Sequence, residues 1–521
     1  MPADLPAPDP LTVPGLLAHW AAVAGEDAAL VHDDTSTSYA ELDRRSRLVA
    51  RRLVAAGVGK RTRVGLLMPN GIDWATIAYG AARVGALLVP LSTLLRPPEL
   101  EAQLRGASVS HLVAVRSFRG RRYLDELTEL DPALAALGQG TVRHARLPSL
   151  QRIWAADELP SASAPDELVA ALEAQVRPAD DLAILFTSGS RGAPKGVVHT
   201  HGNAVRATRS GLDARRVGRG ERLYIPMPFF WTGGFSSGLL TALVAGATLL
   251  TETEPTPAET IAFLERERAT LFRGWPDQAV KIASDPAFAG ADLSSLRPGS
   301  LDAVLPPDLR AAPGTRANIF GMTETFGPYC GTRLDTDLPP TKHGSCGIPF
   351  DGIEVRIVDP DDGSPLPPGQ QGEIALRGPN LMRGISGRLR EATFSPDGFY
   401  RSGDLGSLDA DGYLFYAGRT DDMFKVNGMW VSPFEVEAAL VSHEAVLEAA
   451  VIGKEDGDGL VKPKAFIVLK NGYGADERLF EALRAHVKER TGAWKYPRWI
   501  DIRGDLPRTA TGKIQRFKLR D

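Results

Sequence analysis

The chain has 521 residues, enough to bury large cores and to hold more than one domain. Its 43% apolar and 24% charged content is that of an ordinary globular protein. A net charge of −4 gives no electrostatic reason to expect nucleic acid or an anionic membrane surface as a partner.

The N-terminal segment Met1-Pro2-Ala3-Asp4-Leu5-Pro6 lacks a basic flank followed by an apolar core, so no signal peptide is expected. From about Leu11 to Pro178, helical and strand-like segments alternate in the manner of an α/β unit. Ser38 to Leu42 starts a helix with apolar residues at Leu48, Val49, Leu53 and Val54. Val64 to Met68 reads as a buried strand, followed by a Pro-Asn-Gly turn and a helix, and Gly85 to Leu91 reads the same way. Ser161 to Pro165 is a small-residue linker, with Asp166 placed to cap the next helix.

Leu182 to Phe186 is a short apolar run suited to a buried strand. It ends abruptly in Thr187-Ser188-Gly189-Ser190-Arg191-Gly192-Ala193-Pro194-Lys195-Gly196. Such a loop can turn its N–H groups around a polyphosphate, with hydroxyls from Thr187, Ser188 and Ser190 and a mobile charge on Lys195. It does not match G-x-x-x-x-G-K-[ST], and Pro194 argues against a helix through the lysine. Taken alone, it is more often a surface turn.

Pro226 to Phe235 packs aromatics beside glycines. This is either plain core or a substrate wall in which glycine leaves room for a ligand. The apolar segment from Leu239 to Leu250 is too short to span a bilayer. Leu301 to Pro307 and Asn318 to Thr325 follow, then Cys330 and Cys346, which form neither a disulfide framework nor a metal-ligand spacing. A reducing, cytoplasmic setting is the resulting expectation. Gly372 to Pro379 is a strand entering a turn and pairs with Glu354 to Val358. Tyr400 to Gly406 places an aspartate in a glycine turn, and Gly418 to Gly428, charge-rich and glycine-flanked, suits a hinge. Ser432-Pro433-Phe434-Glu435 is a capping box with Pro at the first helical position, and Val436 and Leu440 give that helix its stripe. Glu448 to Ile452 and Lys464 to Leu469 read as strands; Asp476 caps a helix burying Leu479, Phe480, Leu483 and Val487. The last segment is Leu506 to Ile514.

Five of these segments, in this order and covering nearly all of the chain, resemble the motifs of the adenylate-forming superfamily of acyl-CoA synthetases, adenylation domains and luciferases. Thr187 to Gly196 is similar to T-S-G-[ST]-T-G-x-P-K-G, with Arg191 where Thr is usual. Phe320 to Glu324 resembles Y-G-x-T-E, and Tyr400 to Asp404 resembles Y-[RK]-[ST]-G-D. Gly418 to Gly428 is similar to the junction between the two domains, and Pro507 to Lys513 to P-[RK]-T-x-x-G-K. Two places depart. Trp231 stands where most members carry His, and an indole donates one hydrogen bond but accepts none. Leu301 and Asp302 replace two glycines of the usual G-G-A-P-L.

The resemblance implies an α/β large N-terminal domain with stacked sheets and flanking helices, residues 1–419. It also implies a small mobile α+β C-terminal domain, residues 420–521, with a hinge near Asp421. A carboxylate then attacks the α-phosphate of ATP to give an acyl-adenylate, and a thiol displaces AMP. The implied catalytic set is Lys513, Thr187, Glu324 and Lys195. Phosphates fall to Thr187, Ser188, Gly189, Ser190, Gly192, Lys195 and Thr323, and Mg²⁺ to Glu324. Phe320 stacks on adenine beside Gly321 and Met322, and Asp404 and Arg419 hold the ribose. Lys513 bridges the acid and the α-phosphate. The implied acyl pocket is Phe230, Trp231, Thr232, Gly233, Gly234, Ala303 and Gly321. Rotation about Asp421 then presents Lys425, Gly428 and their neighbours to the pantetheine arm.

Asp458 to Ala465 resembles the small domain of aryl-CoA ligases, and Phe229-Phe230-Trp231 resembles the patch of some fatty acyl-CoA synthetases. The expectation is therefore a ligase for a hydrophobic fatty or aryl acid, using ATP, Mg²⁺ and coenzyme A, with no nucleic acid and no membrane span. A homodimer and a carrier-protein acceptor stay open. The rivals are a stand-alone adenylation enzyme loading a carrier protein, a luciferase-like oxygenase, and a nucleotide-binding protein without turnover.

Overall fold

The computed structural model describes residues 11–520 except 131, 133, 135–143, 188–193, 313, 421, 427, 428, 471, 493 and 509–513. The chain forms two compact units. The larger is built from residues up to 187, 194–354 and 377–396, and the smaller from 355–376 and 397–521.

In the larger unit a seven-stranded sheet runs in the order Gly384–Ile385, Lys195–Thr200, Asp181–Thr187, Leu87–Leu91, Arg63–Leu67, His111–Ala114 and Arg152–Ala155. Its central strands are continuous apolar runs because helices such as Ile72–Arg83 bury them, and their mutual pairing is parallel. A five-stranded sheet contains Ala28–His32, Arg222–Tyr224 and Thr248–Thr251, and a three-stranded one contains Phe320–Met322, Gly327–Gly331 and Ile348–Pro349. Trp74, fully buried, sets its ring edge-on to Phe229 and Phe235, which ties the helix Ile72–Arg83 to the aromatic patch.

The smaller unit holds a four-stranded antiparallel-rich sheet, Glu354–Val358, Gly372–Arg377, Tyr400–Leu408 and Leu414–Arg419. It also holds a three-stranded sheet, Val446–Glu455, Val461–Leu469 and Trp499–Ile502, packed with helices Pro433–Val441 and Glu477–Thr491. The expected boundary at residue 419 puts the four-stranded sheet with the large domain; by packing it goes with the C-terminal residues. The cause is local: the Ser432 hydroxyl donates to the Ala417 carbonyl, and Tyr416 lies edge-on to Phe434 at 5.6 Å. The fold class is as expected, a large α/β unit and a smaller α+β one.

Several local expectations hold, and three need correction. Ser38 and Asp476 cap their helices, each accepting the N–H three residues on. Leu48 is exposed, not part of the stripe; Leu42, Val49 and Leu53 carry it with Ser46 and Ala50. Asp166 is the first helical residue and Pro165 occupies the cap position, because its extended φ/ψ of −60°/147° fits there. Ser432 caps its helix as expected, yet Glu435 does not close the box: its carboxylate accepts from Lys495 Nζ at 2.6 Å. Cys330 and Cys346 are both buried and outside any disulfide, and burial pushes the Cys330 thiol far up.

His111, His199 and His201 are buried, and burial pushes each imidazole down to about 4. A depressed histidine contributes stability that is present above the unfolded value of 6.5 and lost as pH falls toward 4. Each is worth about 3 kcal/mol at the limit. Glu252, pushed up to about 7 by burial, works in the opposite direction, its contribution being lost as pH rises from 4.5 through 7. Three histidines outweigh one glutamate, so the urea midpoint should fall as pH drops from 6.5 to 4. His201→Gln should flatten that slope while lowering stability at pH 7, and an unchanged slope would contradict the burial account.

Candidate active site

The strand Asp181–Thr187 turns back as Lys195–Thr200, and the two pair antiparallel with Thr187 opposite Lys195. The expected strand is therefore present, and the chain leaves the loop as strand, not helix, as Pro194 requires. Thr187 is half-buried and Lys195 exposed, so both side chains stand at the mouth of the hairpin. Ser188, Gly189, Ser190 and Gly192 lie outside the described residues, as do Asp421, Gly428 and Lys513.

Phe320–Met322 forms a short strand whose Gly321 lies against the backbone of Gly327 and Pro328, where a Cβ would overlap main-chain atoms. Phe320 is half-buried, with its ring 5.6 Å from Tyr329. The next three residues, Thr323–Thr325, make one 3-10 turn that ends on Phe326 at φ 55°. This left-handed conformation in a large aromatic is costly and is held by packing: Phe326 is buried against Phe235 and His199, and its carbonyl accepts from Ser236 Oγ. Glu324 sits buried in that turn, its carbonyl accepting from Met382 N at 2.8 Å. Among the described residues no group of three or more metal-ligating side chains exists. A single buried carboxylate beside a threonine hydroxyl fits a magnesium ion carried in largely by nucleotide phosphates.

The aromatic patch meets this turn directly. Thr232 Oγ1 donates to Thr323 Oγ1 at 3.2 Å. The patch itself is anchored by Asn70, whose amide donates to Met227 O and Thr251 Oγ1 and accepts from Phe229 N at 2.7 Å. Phe229 is core, and Phe230 is buried edge-on to Trp231 at 5.1 Å. Trp231 is half-buried between Phe230 and Trp275, whose ring stands edge-on at 6.4 Å. Gly233 and Gly234 do not leave room on their Cβ side. A Cβ at Gly233 would lie 2.5 Å from Met227 Sδ, and one at Gly234 would fall on Pro228 O. These glycines let the helix that starts at Thr232 close on the preceding loop. Ala303 lies in the turn Asp302–Val304, packed on a cluster with Tyr224 and Phe272, consistent with a site wall or with core.

In the smaller unit Asp404 and Arg419 are register partners on adjacent strands, and Arg419 Nη1 donates to Asp404 Oδ1 at 3.1 Å. Asp404 is 5% exposed. Its backbone is fixed by Ser402 Oγ, which accepts from Asp404 N and donates to Ile374 O. Gly403 needs its positive φ of 73° to make this turn. Lys425 lies on the strand Phe424–Val426. Toward the C-terminus, Arg508 and Ile514 form a bridge that brackets the stretch holding Lys513. Arg516 then grips Glu437 through Nε at 3.0 Å and Nη2 at 2.7 Å, both partners being buried.

Two participants carry no sequence signal. Trp275 stands 44 positions after Trp231, in a segment with no motif. His199 reaches Thr323 across 124 positions, donating from Nε2 to its carbonyl at 2.8 Å.

Residues 17–386 match the family model for the AMP-binding enzyme, and residues 435–513 match that for the AMP-binding enzyme C-terminal domain. The chain is 35% identical to the benzoate–CoA ligase of Thauera aromatica over 517 residues, 95% of this chain and 93% of that protein. It superposes on the anthranilate CoA ligase AuaEII in complex with anthranoyl-AMP with a TM-score of 0.80, at 29% identity over 98% and 96% of the chains. The o-succinylbenzoate CoA synthetase MenE of Bacillus subtilis, in complex with ATP and magnesium, gives 0.77 at 25% identity over 97% and 99%.

Proposed function

The chain belongs to the AMP-binding enzyme family, and from that premise we propose that it is an AMP-forming ligase joining an aryl carboxylic acid to coenzyme A. The observation that carries the reading is the Thr232–Thr323 hydrogen bond. It joins the two-tryptophan wall to the turn bearing Glu324 within one compact unit, so a flat acid and a nucleotide phosphate would meet there. The relatives support the substrate class: a benzoate ligase and an anthranilate ligase both take a ring directly attached to the carboxylate.

The chemistry brings two anions together, and the chain must supply positive charge in advance. Lys195, exposed at the hairpin mouth, serves the β- and γ-phosphates, and Thr187 and Thr323 donate to phosphate oxygens. Lys513 holds the carboxylate against the α-phosphate. Asp404, paired with Arg419, accepts the two ribose hydroxyls. A magnesium ion, when bound through Glu324, would neutralise the developing pyrophosphate charge. After adenylation Lys513 must withdraw, and rotation about Asp421 exchanges it for Lys425 and Gly428 on the thiol side. The free thiol of coenzyme A is the acceptor, and the cytoplasm the setting. No helix among the described residues is long and apolar enough to cross a membrane.

The test is a panel of aryl and straight-chain acids assayed for AMP release with and without coenzyme A, run on the native protein and on Trp231→Ala. An aryl acid should lead the panel, with AMP release stimulated by coenzyme A. Thioester formed on a carrier protein but not with coenzyme A would overturn the acceptor. Trp231→Ala should shift preference toward longer or bulkier acids by about 1–3 kcal/mol in kcat/KM. An unchanged profile in a protein destabilised by about 3–5 kcal/mol would make Trp231 core, not wall.

A further inference from the structure

His199 has no place in the chemistry above, yet it is fully buried and touches the turn on which that chemistry depends. Its protonation pattern follows from its neighbours. Asn203 Oδ1 accepts from Thr200 N at 2.6 Å and from Thr200 Oγ1 at 3.1 Å, and a backbone N–H can only donate. The amide orientation of Asn203 is therefore fixed, with its NH₂ directed to His199 Nδ1 at 2.8 Å. Nδ1 must then accept, which puts the ring proton on Nε2. From there it is donated to the Thr323 carbonyl at 2.8 Å. The ring also stands edge-on to Phe326 at 4.8 Å, the residue that ends the same turn in the left-handed conformation.

We propose that His199 is a positioning residue: through the tautomer that Asn203 dictates, it holds the Thr323 carbonyl and so aims the Thr323–Glu324 turn at the nucleotide phosphates. This rests on the reading of Thr323 and Glu324 as phosphate and metal residues. The hydrogen bond restrains one end of a three-residue turn, and Met382 N on the Glu324 carbonyl restrains the next residue. Without the imidazole N–H, the Thr323 carbonyl would keep only the Phe326 N–H at 2.9 Å, and the turn would lose the restraint that ties it to the strand carrying His199. Residues that orient a ligand in this way typically matter by 10- to 100-fold.

The experiment compares His199→Phe, which keeps a ring against Phe326 but donates nothing, with His199→Gln, whose amide can donate to Thr323 and accept from Asn203. Glu324→Gln is the control. Binding of ATP with Mg²⁺, in the absence of acid, is measured by calorimetry, alongside KM for ATP, KM for the acid and the melting temperature. His199→Phe should weaken ATP binding by about 10-fold or more, with a smaller change in KM for the acid, and His199→Gln should recover most of the loss. Equal changes in both KM values, or a drop in melting temperature with ATP binding intact, would overturn the proposal. If Glu324→Gln leaves magnesium-dependent binding unchanged, the site reading itself fails; if it alone weakens binding, only the role of His199 fails. Nitrogen-15 NMR of the native protein tests the tautomer without any variant: a proton on Nδ1 would overturn the argument directly.

Discussion

Replacing Lys513 by alanine is expected to lower acid-dependent pyrophosphate exchange by about a thousandfold or more, the scale of losing a charge aimed at a developing anion. The native enzyme needs a cation where the attacking carboxylate approaches the α-phosphate, since both reactants are negative. The same variant should still convert a supplied acyl-adenylate to thioester, because in the proposed mechanism the lysine serves only the first half-reaction. Misfolding is not the expected cause of any loss. The described residues flanking it carry the packing: Arg508 and Ile514 form a bridge, and Arg516 pairs with the buried Glu437. Near-native exchange in the variant would remove Lys513 from the mechanism.

Asp404→Ala should act on nucleotide affinity instead. Two charge-assisted hydrogen bonds to the ribose, each worth about 1.5–3 kcal/mol, would be lost together, which corresponds to roughly 10²–10⁴-fold in KM for ATP. Asp404→Asn keeps the shape and one acceptor, and should fall between the two. Arg419 is half-exposed, so losing its partner costs little stability, and the melting temperature should move less than the kinetics. Because the two side chains share one hydrogen bond, Arg419→Ala and the double variant should be strongly non-additive in KM. A lowered melting temperature with KM for ATP unchanged would make the pair a structural clasp.

What the sequence carried and what it did not can be traced to range. The hairpin at Thr187 and Lys195 was legible because an apolar run, a burst of small residues and one proline act locally on the backbone. Helix starts at Ser38 and Asp476 were legible for the same reason. Asp166 missed its cap by one residue, because a proline just before it can occupy that conformation equally well. Glu435 left its capping box because Lys495, sixty positions away, offers a stronger charged partner. The glycines at 233 and 234 were open to two readings, plain core or room for a ligand. Only the position of Met227 and Pro228 decides between them. Trp275 and His199 lie beyond any local signal: each meets the site through contacts made across a long loop of chain, which leaves no periodicity to read.

The burial of both native thiols has a practical consequence. With Cys330 and Cys346 shielded and the Cys330 thiol held strongly protonated, the chain should be nearly inert to maleimides at neutral pH without any cysteine-free background. One cysteine introduced on an exposed position of each compact unit would then accept a donor and an acceptor dye, so that energy transfer could follow domain rotation through a single turnover, stalled first at the adenylate and released by the thiol.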